Sequence, residues 1–328
     1  MSENFLRSRW GAFIHFLGKR DMTAAEWNAR TAAFDAEGLA AQLADAGARW
    51  LFFTMGQASG HYAAPNAYFD SVAGGADPDY VSKCSTRDLP SELGKALLKR
   101  GIRLCLYMPS EAPNCPNFGW RFNRRPDGSI IGDRLAEFQQ KWEAVIREWS
   151  LRYGKTVSAW WVDSCYFADA MYRFPDPPNF ASFAAALKAG NPDALLAFNP
   201  GIRIPAESLT DEDDYTAGEL ATSLPTAFDR FPIGVKSPAG FVPLAELGDR
   251  PQYHLLCSLG RDWGHLVKTD AGIDICRFPA ELVYGYTAYI LNMGGAMTWE
   301  LPVGYDGRMF EPVLEQLRRL RHLNQDKE

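Results

Sequence analysis

The sequence has no long apolar run. Nowhere do eighteen apolar residues follow one another, and the first residues hold no apolar stretch of signal-peptide length. We therefore expect a cytoplasmic protein with no membrane partner. Runs of Lys or Arg are also missing, and the formal net charge is -6. Because a nucleic-acid surface needs dense positive charge, nucleic acid is not expected as a partner.

Cysteine is scarce and scattered. The 6 Cys residues form no CxxC pair, which argues against a disulfide framework and against a zinc cluster. We expect mostly reduced thiols that pack as small apolar groups. The 5 His residues form no HxH or HExxH motif, so the sequence predicts neither a metal site nor a cofactor.

Glycine-rich phosphate loops are absent, which disfavours an open Rossmann-like sheet. What the chain does have is a short apolar run followed by an amphipathic helix, repeated without a composition shift that would mark a linker. Strands are predicted at 11–16, 48–55, 102–108, 157–163, 194–199, 214–220, 252–258 and 295–300. Continuous apolar strands that alternate with helices indicate a parallel sheet buried on both faces. We predict an α/β fold, a single (β/α)8 barrel over residues 1–328.

Helix start and stop signals lie between these strands. Asp35 and Asp88 stand at helix-capping positions, and Gly47 and Gly101 stand where a helix would end. Helices are predicted at 34–47, 88–101, 134–154, 178–190, 278–292 and 311–324.

The carboxyl ends of barrel strands are where functional side chains lie. The candidates at or near these ends are polar or aromatic: His15, Gln57, His61, Tyr62, Glu111, Trp161, Asp163, Asn199, Arg203, Glu219, Trp263, Trp299 and Glu300. Such a set suits a hydroxyl-rich ligand, because hydroxyl groups donate and accept hydrogen bonds while C–H faces stack on rings. A small carbohydrate is the expected partner, and a homo-oligomer stays open.

Two of these carboxylates form a candidate catalytic pair. Glycoside cleavage needs one carboxylate to meet the charge that develops at the anomeric carbon and a second, protonated carboxyl group to release the leaving oxygen. Asp163 ends a strand of apolar residues, and Glu219 follows small residues that would let a substrate approach. Glu300, directly after Trp299, is the rival acid.

Each candidate also has a structural explanation. Asp163 would serve equally to cap the turn that follows it. Glu219 lies near the acidic stretch 211–214 and would serve as a surface acid, while His15 would fit a core histidine bonded to a carbonyl. His61 and Tyr62 lie on a long loop, where side chains are more often exposed than functional.

Five segments, in the right order, resemble the α-L-fucosidases of glycoside hydrolase family 29. RWGAFIHFLG resembles the family's GIFIHWG strand, which implies that His15 contacts sugar hydroxyls. The stretch from FDAEGL to LFFT, RDLPSELGKALLKRGIRLCLYMPSE and NMGGAMTWELPVGYDGRM resemble further family segments. WWVDSCY resembles WFDG, whose Asp is the nucleophile, and this implies that role for Asp163. YTAGEL is similar to the context of the family's acid/base residue, which supports Glu219.

The departures bear on the substrate. Met55-Gly56-Gln57-Ala58 replaces the family's paired histidines, so hydroxyl contacts there would fall to Gln57 or His61. The sequence ends soon after the eighth predicted strand, and no C-terminal β-sandwich is expected. The resemblance implies a retaining exo-glycosidase that acts on an α-L-fucoside or a near relative. Two alternatives stay open: a carbohydrate-binding barrel that has lost catalysis, and a barrel glycosidase or lyase for another deoxy sugar or a uronic acid, with Arg203 as carboxylate clamp.

Overall fold

Eight short parallel strands pair in one curled sheet. The computed structural model describes residues 4–111, 115–121, 133–167, 171–221, 223–226, 233–248, 251–261, 263 and 275–324. Within these residues the strands of this sheet are β1 (Trp10–Ile14), β2 (Trp50–Thr54), β3 (Arg103–Pro109), β4 (Val157–Asp163), β5 (Leu195–Phe198), β7 (Glu219–Ala221), β10 (His254–Ser258) and β11 (Ala296–Glu300). Their order is β5-β4-β3-β2-β1-β11-β10-β7, so the first strand pairs with the last. This is the predicted (β/α)8-barrel-like α/β fold.

Helices connect the strands and cover the outside of the sheet. They are α1 (Ala24–Ala32), α2 (Ala36–Ala46), α3 (Ala67–Gly74), α4 (Leu89–Leu98), α5 (Ala136–Tyr153), α6 (Phe180–Leu187), α7 (Ala280–Asn292) and α8 (Glu311–Arg318). Asp35 and Asp88 accept backbone N–H bonds at the starts of α2 and α4, and Gly47 ends α2 with a φ of 82°. The predicted signals at these positions are confirmed. No helix among the described residues has the length and apolar character that a membrane span requires.

Three features were not predicted. α1 and α3 lie in segments where no helix was predicted. A small sheet of β6 (Ala206–Glu207), β8 (Gly234–Ser237) and β9 (Gly240–Pro243) lies between β5 and β10 in the chain. The signal for α1 was present, since Thr23 and Glu26 form a capping box at its start.

Side chains of the parallel sheet alternate between two cores. Outward residues pack on the helices, whereas inward residues fill the barrel with aromatic rings, among them Phe13, Phe52, Tyr107 and Trp161. The inward positions at the carboxyl ends of the strands then open onto one mouth. The alternation of side chains along each strand therefore decides which of two adjacent residues reaches the mouth.

The predicted strand at 214–220 is shorter and interrupted in the structure. Tyr215 forms a single parallel bridge with Gln252, and Glu219–Ala221 pairs as β7. In the described residues no ladder joins β7 to β5. One backbone bond, from Asp214 to the carbonyl of Leu196 at 2.7 Å, and two side-chain carboxylates close this seam. Asp214 accepts the backbone N–H of Leu196 at 3.0 Å, and Asp213 accepts that of Phe198 at 2.8 Å. The acidic stretch 211–214 thus supplies hydrogen bonds that a neighbouring strand would otherwise make.

Asp213 is the more buried of the two seam acids. Besides Phe198, it accepts the backbone N–H groups of Leu209 and Thr210 at 2.7 and 3.2 Å. Asp213→Ala would leave three N–H groups without an acceptor, so we expect the free energy of unfolding in urea to fall by about 3 kcal/mol or more. Asp211→Ala, at an exposed position nearby, is the control and should change it by less than about 0.5 kcal/mol. Equal stability of both variants would contradict the role of the seam.

Candidate active site

Asp163 is the last residue of β4 and faces the barrel mouth. Trp161, two residues earlier on the same inward face, lies beneath it, and the side chain of Asp163 is buried. Its Oδ2 accepts a 2.6 Å hydrogen bond from the hydroxyl of Tyr107, which is on β3. Its Oδ1 accepts a 2.9 Å bond from the side-chain amide of Asn199, which follows β5. Two donors on neighbouring strands thus orient this carboxylate.

Asn199 joins the two predicted catalytic acids. Its Nδ2 donates to Oδ1 of Asp163 at 2.9 Å and to Oε2 of Glu219 at 2.7 Å. The amide orientation is defined at its other end, where Oδ1 accepts the backbone N–H of Gly201 at 3.0 Å. Because the two hydrogens of an NH2 group diverge by about 120°, the accepting oxygens stand about 5 Å apart. The structure therefore brings Asp163 and Glu219 together across the mouth.

The backbone before Glu219 requires glycine. Gly218 has a φ of 64°, and a Cβ there would lie 1.9 Å from the carbonyl oxygen of His254 on β10. This close approach lets the chain turn so that Glu219 enters β7 with its side chain toward Asn199. Burial raises the pKa of Glu219, and the charge of Asp163 raises it further, whereas the Asn199 bond and His15 lower it. A carboxyl group with a raised pKa suits proton donation near neutral pH.

A second polar group lies beside this pair. Nδ1 of His15 is 3.1 Å from Oε1 of Glu300, and the hydroxyl of Ser258 donates to Oε2 of Glu300 at 2.8 Å. The His15 ring also lies against Tyr107 and Trp263, with ring centroids 5.8 and 5.9 Å apart. His15 and Ser258 are both at strand ends, so the Glu300 carboxylate is fixed at the mouth rather than in a surface turn.

Gln57 reaches the Asp163 carboxylate from the loop after β2. Its Nε2 donates to the Tyr107 hydroxyl at 2.6 Å and lies 3.4 Å from Oδ2 of Asp163. Trp161 forms the floor below: its ring stacks on Tyr107 at 5.3 Å, and its Nε1 donates to the carbonyl of Ala217. Of the predicted binding residues, His15, Gln57, Trp161, Trp263 and Glu300 therefore lie at or directly beneath the mouth.

Two predicted binding residues do not lie at the mouth. Trp299 precedes the inward Glu300 and so points outward, where its Nε1 donates to Thr287 of α7 at 3.0 Å. Tyr62 is fully buried in the outer core, with ring centroids 4.8 Å from Phe69 and 5.5 Å from Trp149. Both rings serve packing between the sheet and the helices.

Two others lie apart from the carboxylates. His61 is buried with its ring 5.9 Å from Trp27 of α1, and burial lowers the pKa of its imidazole. Arg203 lies at the surface, where its side chain is 54% exposed and 3.7 Å from Glu207. No described contact joins either residue to Asp163 or Glu219.

Three further residues lie beside the site, and of these only Glu111 was among the strand-end candidates. Tyr107 lies two residues before the end of β3 on the inward face, and the strand alternation could have identified it. Ser258 is the last residue of β10, and its hydroxyl also faces the mouth, where it binds Glu300. Glu111 follows β3; burial and the charge of Asp163 raise its pKa to about 7. Among the described residues, no group of three or more His, Cys, Asp or Glu side chains is arranged to hold a metal ion.

Comparisons with known proteins find a family match over residues 3–191 and a similarity of fold over nearly the whole chain. The family model described as Alpha-L-fucosidase matches residues 3–191. This segment includes Asp163 but ends before Asn199, Glu219 and Glu300. A comparison with the curated proteins found no match.

Several solved structures are similar in fold. One endo-fucoidan hydrolase from glycoside hydrolase family 107 matches with a TM-score of 0.69 and 17% identity, covering 97% of this chain and 53% of that one. A second endo-fucoidan hydrolase of that family gives 0.65 and 13%, covering 98% and 92%. An α-L-fucosidase of family 29 from Bacteroides thetaiotaomicron gives 0.64 and 15%, covering 97% and 71%. The chain spans about half the length of the first of these proteins.

Proposed function

The chain belongs to the α-L-fucosidase family, and from this premise we propose that it is a retaining exo-glycosidase that hydrolyses an α-L-fucoside or a closely related glycoside. The observation that carries the proposal is the shared amide of Asn199, with Asp163 and Glu219 bonded to the same nitrogen at 2.9 and 2.7 Å. Retaining glycosidases hold their two carboxyl groups roughly 5 to 5.5 Å apart, whereas inverting enzymes leave roughly 6.5 to 9.5 Å for a water molecule. The separation of about 5 Å favours retention.

In the proposed first step, an oxygen of Asp163 attacks the anomeric carbon as the glycosidic bond breaks. Glu219 gives its proton to the leaving oxygen, and the sugar remains as an ester of Asp163. In the second step, Glu219, now a carboxylate, takes a proton from water, and the water oxygen attacks the anomeric carbon. The ester bond breaks, Asp163 is released as a carboxylate, and Glu219 regains its proton.

The environments of the two acids suit these different roles. Asp163 accepts hydrogen bonds from Tyr107 and Asn199, which orient its carboxylate for attack. Glu219 is held in a buried position next to that anion, and both effects raise its pKa, as a proton donor requires. We propose that His15, Glu300 and Gln57 bind sugar hydroxyls, with His15 and Glu300 acting as a hydrogen-bonded pair.

The likeness to endo-fucoidan hydrolases motivates a second candidate, cleavage inside a fucose-containing polymer. Product size separates the two: an exo-enzyme releases monosaccharide from the start of the reaction, whereas an endo-enzyme first releases oligosaccharides. A panel of nitrophenyl glycosides, with the α-L-fucoside first, tests the activity itself. Calorimetric sugar binding without hydrolysis of any aryl glycoside would instead indicate a binding protein that has lost catalysis.

Retention predicts a covalent intermediate that can be isolated. The α-L-fucosidase from Bacteroides thetaiotaomicron was trapped as a covalent intermediate with 2-fluoro-fucosyl fluoride. We expect the same reagent to add one 2-fluorofucosyl group to this protein, detected by intact mass, with the label on the peptide that contains Asp163. The matched control is Asp163→Asn, which should stay unlabelled. A label on another carboxylate, or inverted configuration of the first product in NMR spectra, would contradict the mechanism.

A further inference from the structure

A cavity of about 460 Å³ lies beside α1 and the loops that follow β1 and β11. It is formed by the loop after β1, by α1 and by the loop after β11, and Lys19, Met22, Arg30 and Tyr305 line it. Lys19 and Tyr305 lie a few residues beyond His15 and Glu300, which are hydrogen-bonded to each other in the proposed active site. Two of its lining residues thus follow residues of the mouth by four and five positions in the chain. Its volume is in the range of small-ligand sites.

Arg30 is partly buried, and the described residues give its guanidinium no acidic partner. Its guanidinium lies 4.8 Å from the ring centroid of Tyr305 and 5.9 Å from that of Phe16, and one nitrogen donates to the carbonyl of Leu17 at 3.0 Å. Burial lowers its pKa. Across the described residues, no carboxylate lies within ion-pair distance of it. A guanidinium has five N–H donors, so most of its capacity is open to a ligand.

The two acids at the cavity do not neutralise this cation. Glu26 is engaged at the start of α1, where its Oε2 accepts bonds from the backbone N–H and the hydroxyl of Thr23 at 2.7 and 2.8 Å. Asp21 is exposed and forms no ion pair with Lys19 or Arg30 in the described part of the chain. Lys19, also exposed, adds a second positive charge at the rim. A negatively charged ligand group would therefore be the first anionic partner of Arg30.

We infer that this cavity is a subsite for a sugar unit that carries a carboxylate or a sulfate ester and neighbours the fucoside in the substrate. This inference rests on the proposed function, since it names the substrate class of the same enzyme. The planar guanidinium fork matches the paired oxygens of either anion, and charge-assisted bonds of this kind are about twice as strong as neutral ones. The ring of Tyr305, 40% exposed, offers a surface on which the C–H face of the sugar stacks.

The kinetic test compares substrates that differ only in the second unit. The probes are fucosyl disaccharides whose second unit is glucuronate, a sulfated hexose or the uncharged hexose, together with nitrophenyl α-L-fucoside. Arg30→Gln should lower kcat/KM for an anionic disaccharide by about 10- to 100-fold and leave the nitrophenyl substrate within about twofold. The anionic disaccharide for which kcat/KM falls indicates whether the natural substrate carries a carboxylate or a sulfate ester. An equal loss on all four substrates, or no loss on either anion, would overturn the subsite.

Two matched variants guard against a loss of folding. Arg30→Lys keeps the positive charge but lacks the planar guanidinium. Its kcat/KM for the anionic disaccharides should lie between those of the wild type and Arg30→Gln. Lys19→Gln changes an exposed side chain with no internal contact in the described residues, so its melting temperature should equal that of the wild type. We expect it to lower kcat/KM for the anionic disaccharide by about threefold to tenfold. If Arg30→Gln unfolds and Lys19→Gln has no effect on any anionic probe, the inference fails.

Direct binding separates this inference from the proposed function. Calorimetric titration of the Asp163→Asn protein with the same disaccharides measures affinity without turnover, and adding Arg30→Gln should weaken only the anionic ones. If the wild type hydrolyses none of the probes but binds the anionic ones through Arg30, the hydrolase proposal fails and the subsite stands. If fucosides are hydrolysed but Arg30→Gln changes neither binding nor turnover of anionic probes, the subsite fails and the hydrolase stands.

Discussion

Asp163→Asn is expected to lower kcat for an α-L-fucoside by about four orders of magnitude or more, because an amide cannot form the glycosyl ester. The change is nearly isosteric, and Asp163 is the last residue of β4, which pairs with β3 on one side and with β5 on the other. The fold should therefore persist. Tyr107 and Asn199 both donate hydrogen bonds to this side chain. The oxygen of an amide at this position can accept one of these bonds, but its NH2 group would face the other donor and cannot accept from it. Some weakening of sugar binding should accompany the loss of turnover.

Two controls identify the role of Asp163 more narrowly than the loss of activity does. Asp211→Asn, an exposed acid elsewhere in the chain, should keep full activity. Asp163→Gly opens the space of the carboxylate, so added azide should enter it, attack the anomeric carbon and yield a fucosyl azide of inverted configuration. Activity of Asp163→Asn within about tenfold of the wild type would remove Asp163 from the mechanism.

The barrel could be predicted from sequence because its strands carry a strong local signal. Strand β4 was predicted with its observed bounds, and the other predicted runs differ from the structure by a few residues at their ends. Buried parallel strands are apolar on both faces and are separated by capped helices, so hydrophobic runs and capping residues suffice. The exception is 214–220, where carboxylates rather than a strand complete the seam. Hydrogen bonds from side chains to a distant backbone leave no periodic pattern.

The site was predicted as far as strand ends could indicate it. Asp163, Glu219 and His15 lie at the mouth because each follows an inward residue by two positions. The prediction of both Trp299 and Glu300 as contacts was inconsistent with a strand, since neighbouring residues face opposite sides. Tyr62 lay on a loop whose packing depends on α3 and α5, and no local pattern reveals such packing. Tyr107 was missed because it lies below the strand end.

Asn199 ties the fold to the chemistry. Its side chain joins the two acids, and the residue before it donates its backbone N–H to Asp213 of the seam. The positions of the Asp163 and Glu219 carboxylates thus depend on the same few hydrogen bonds that close the barrel. A substitution in the seam should therefore displace the Asn199 amide more than it displaces His15 and Glu300.

Glu219→Gln is expected to separate the acid/base role from the nucleophilic one. For a disaccharide, whose leaving group needs a proton, kcat/KM should fall by about two to four orders of magnitude. For an aryl fucoside with a good leaving group the first step should be affected far less, so the glycosyl ester should accumulate and give a burst of released phenol. Azide should speed the second step because it needs no general base.

The pH profile makes the assignment specific. Burial and the nearby charge of Asp163 raise the pKa of Glu219, and the acid is active only when protonated. Activity of the wild type should therefore decline as the pH rises through this raised pKa, and Glu219→Gln should lose that alkaline limb. Glu300 is the matched comparison, because His15 and Ser258 already occupy both of its oxygens. Glu300→Gln should raise KM and keep the limb; if it removes the limb while Glu219→Gln does not, the acid is Glu300.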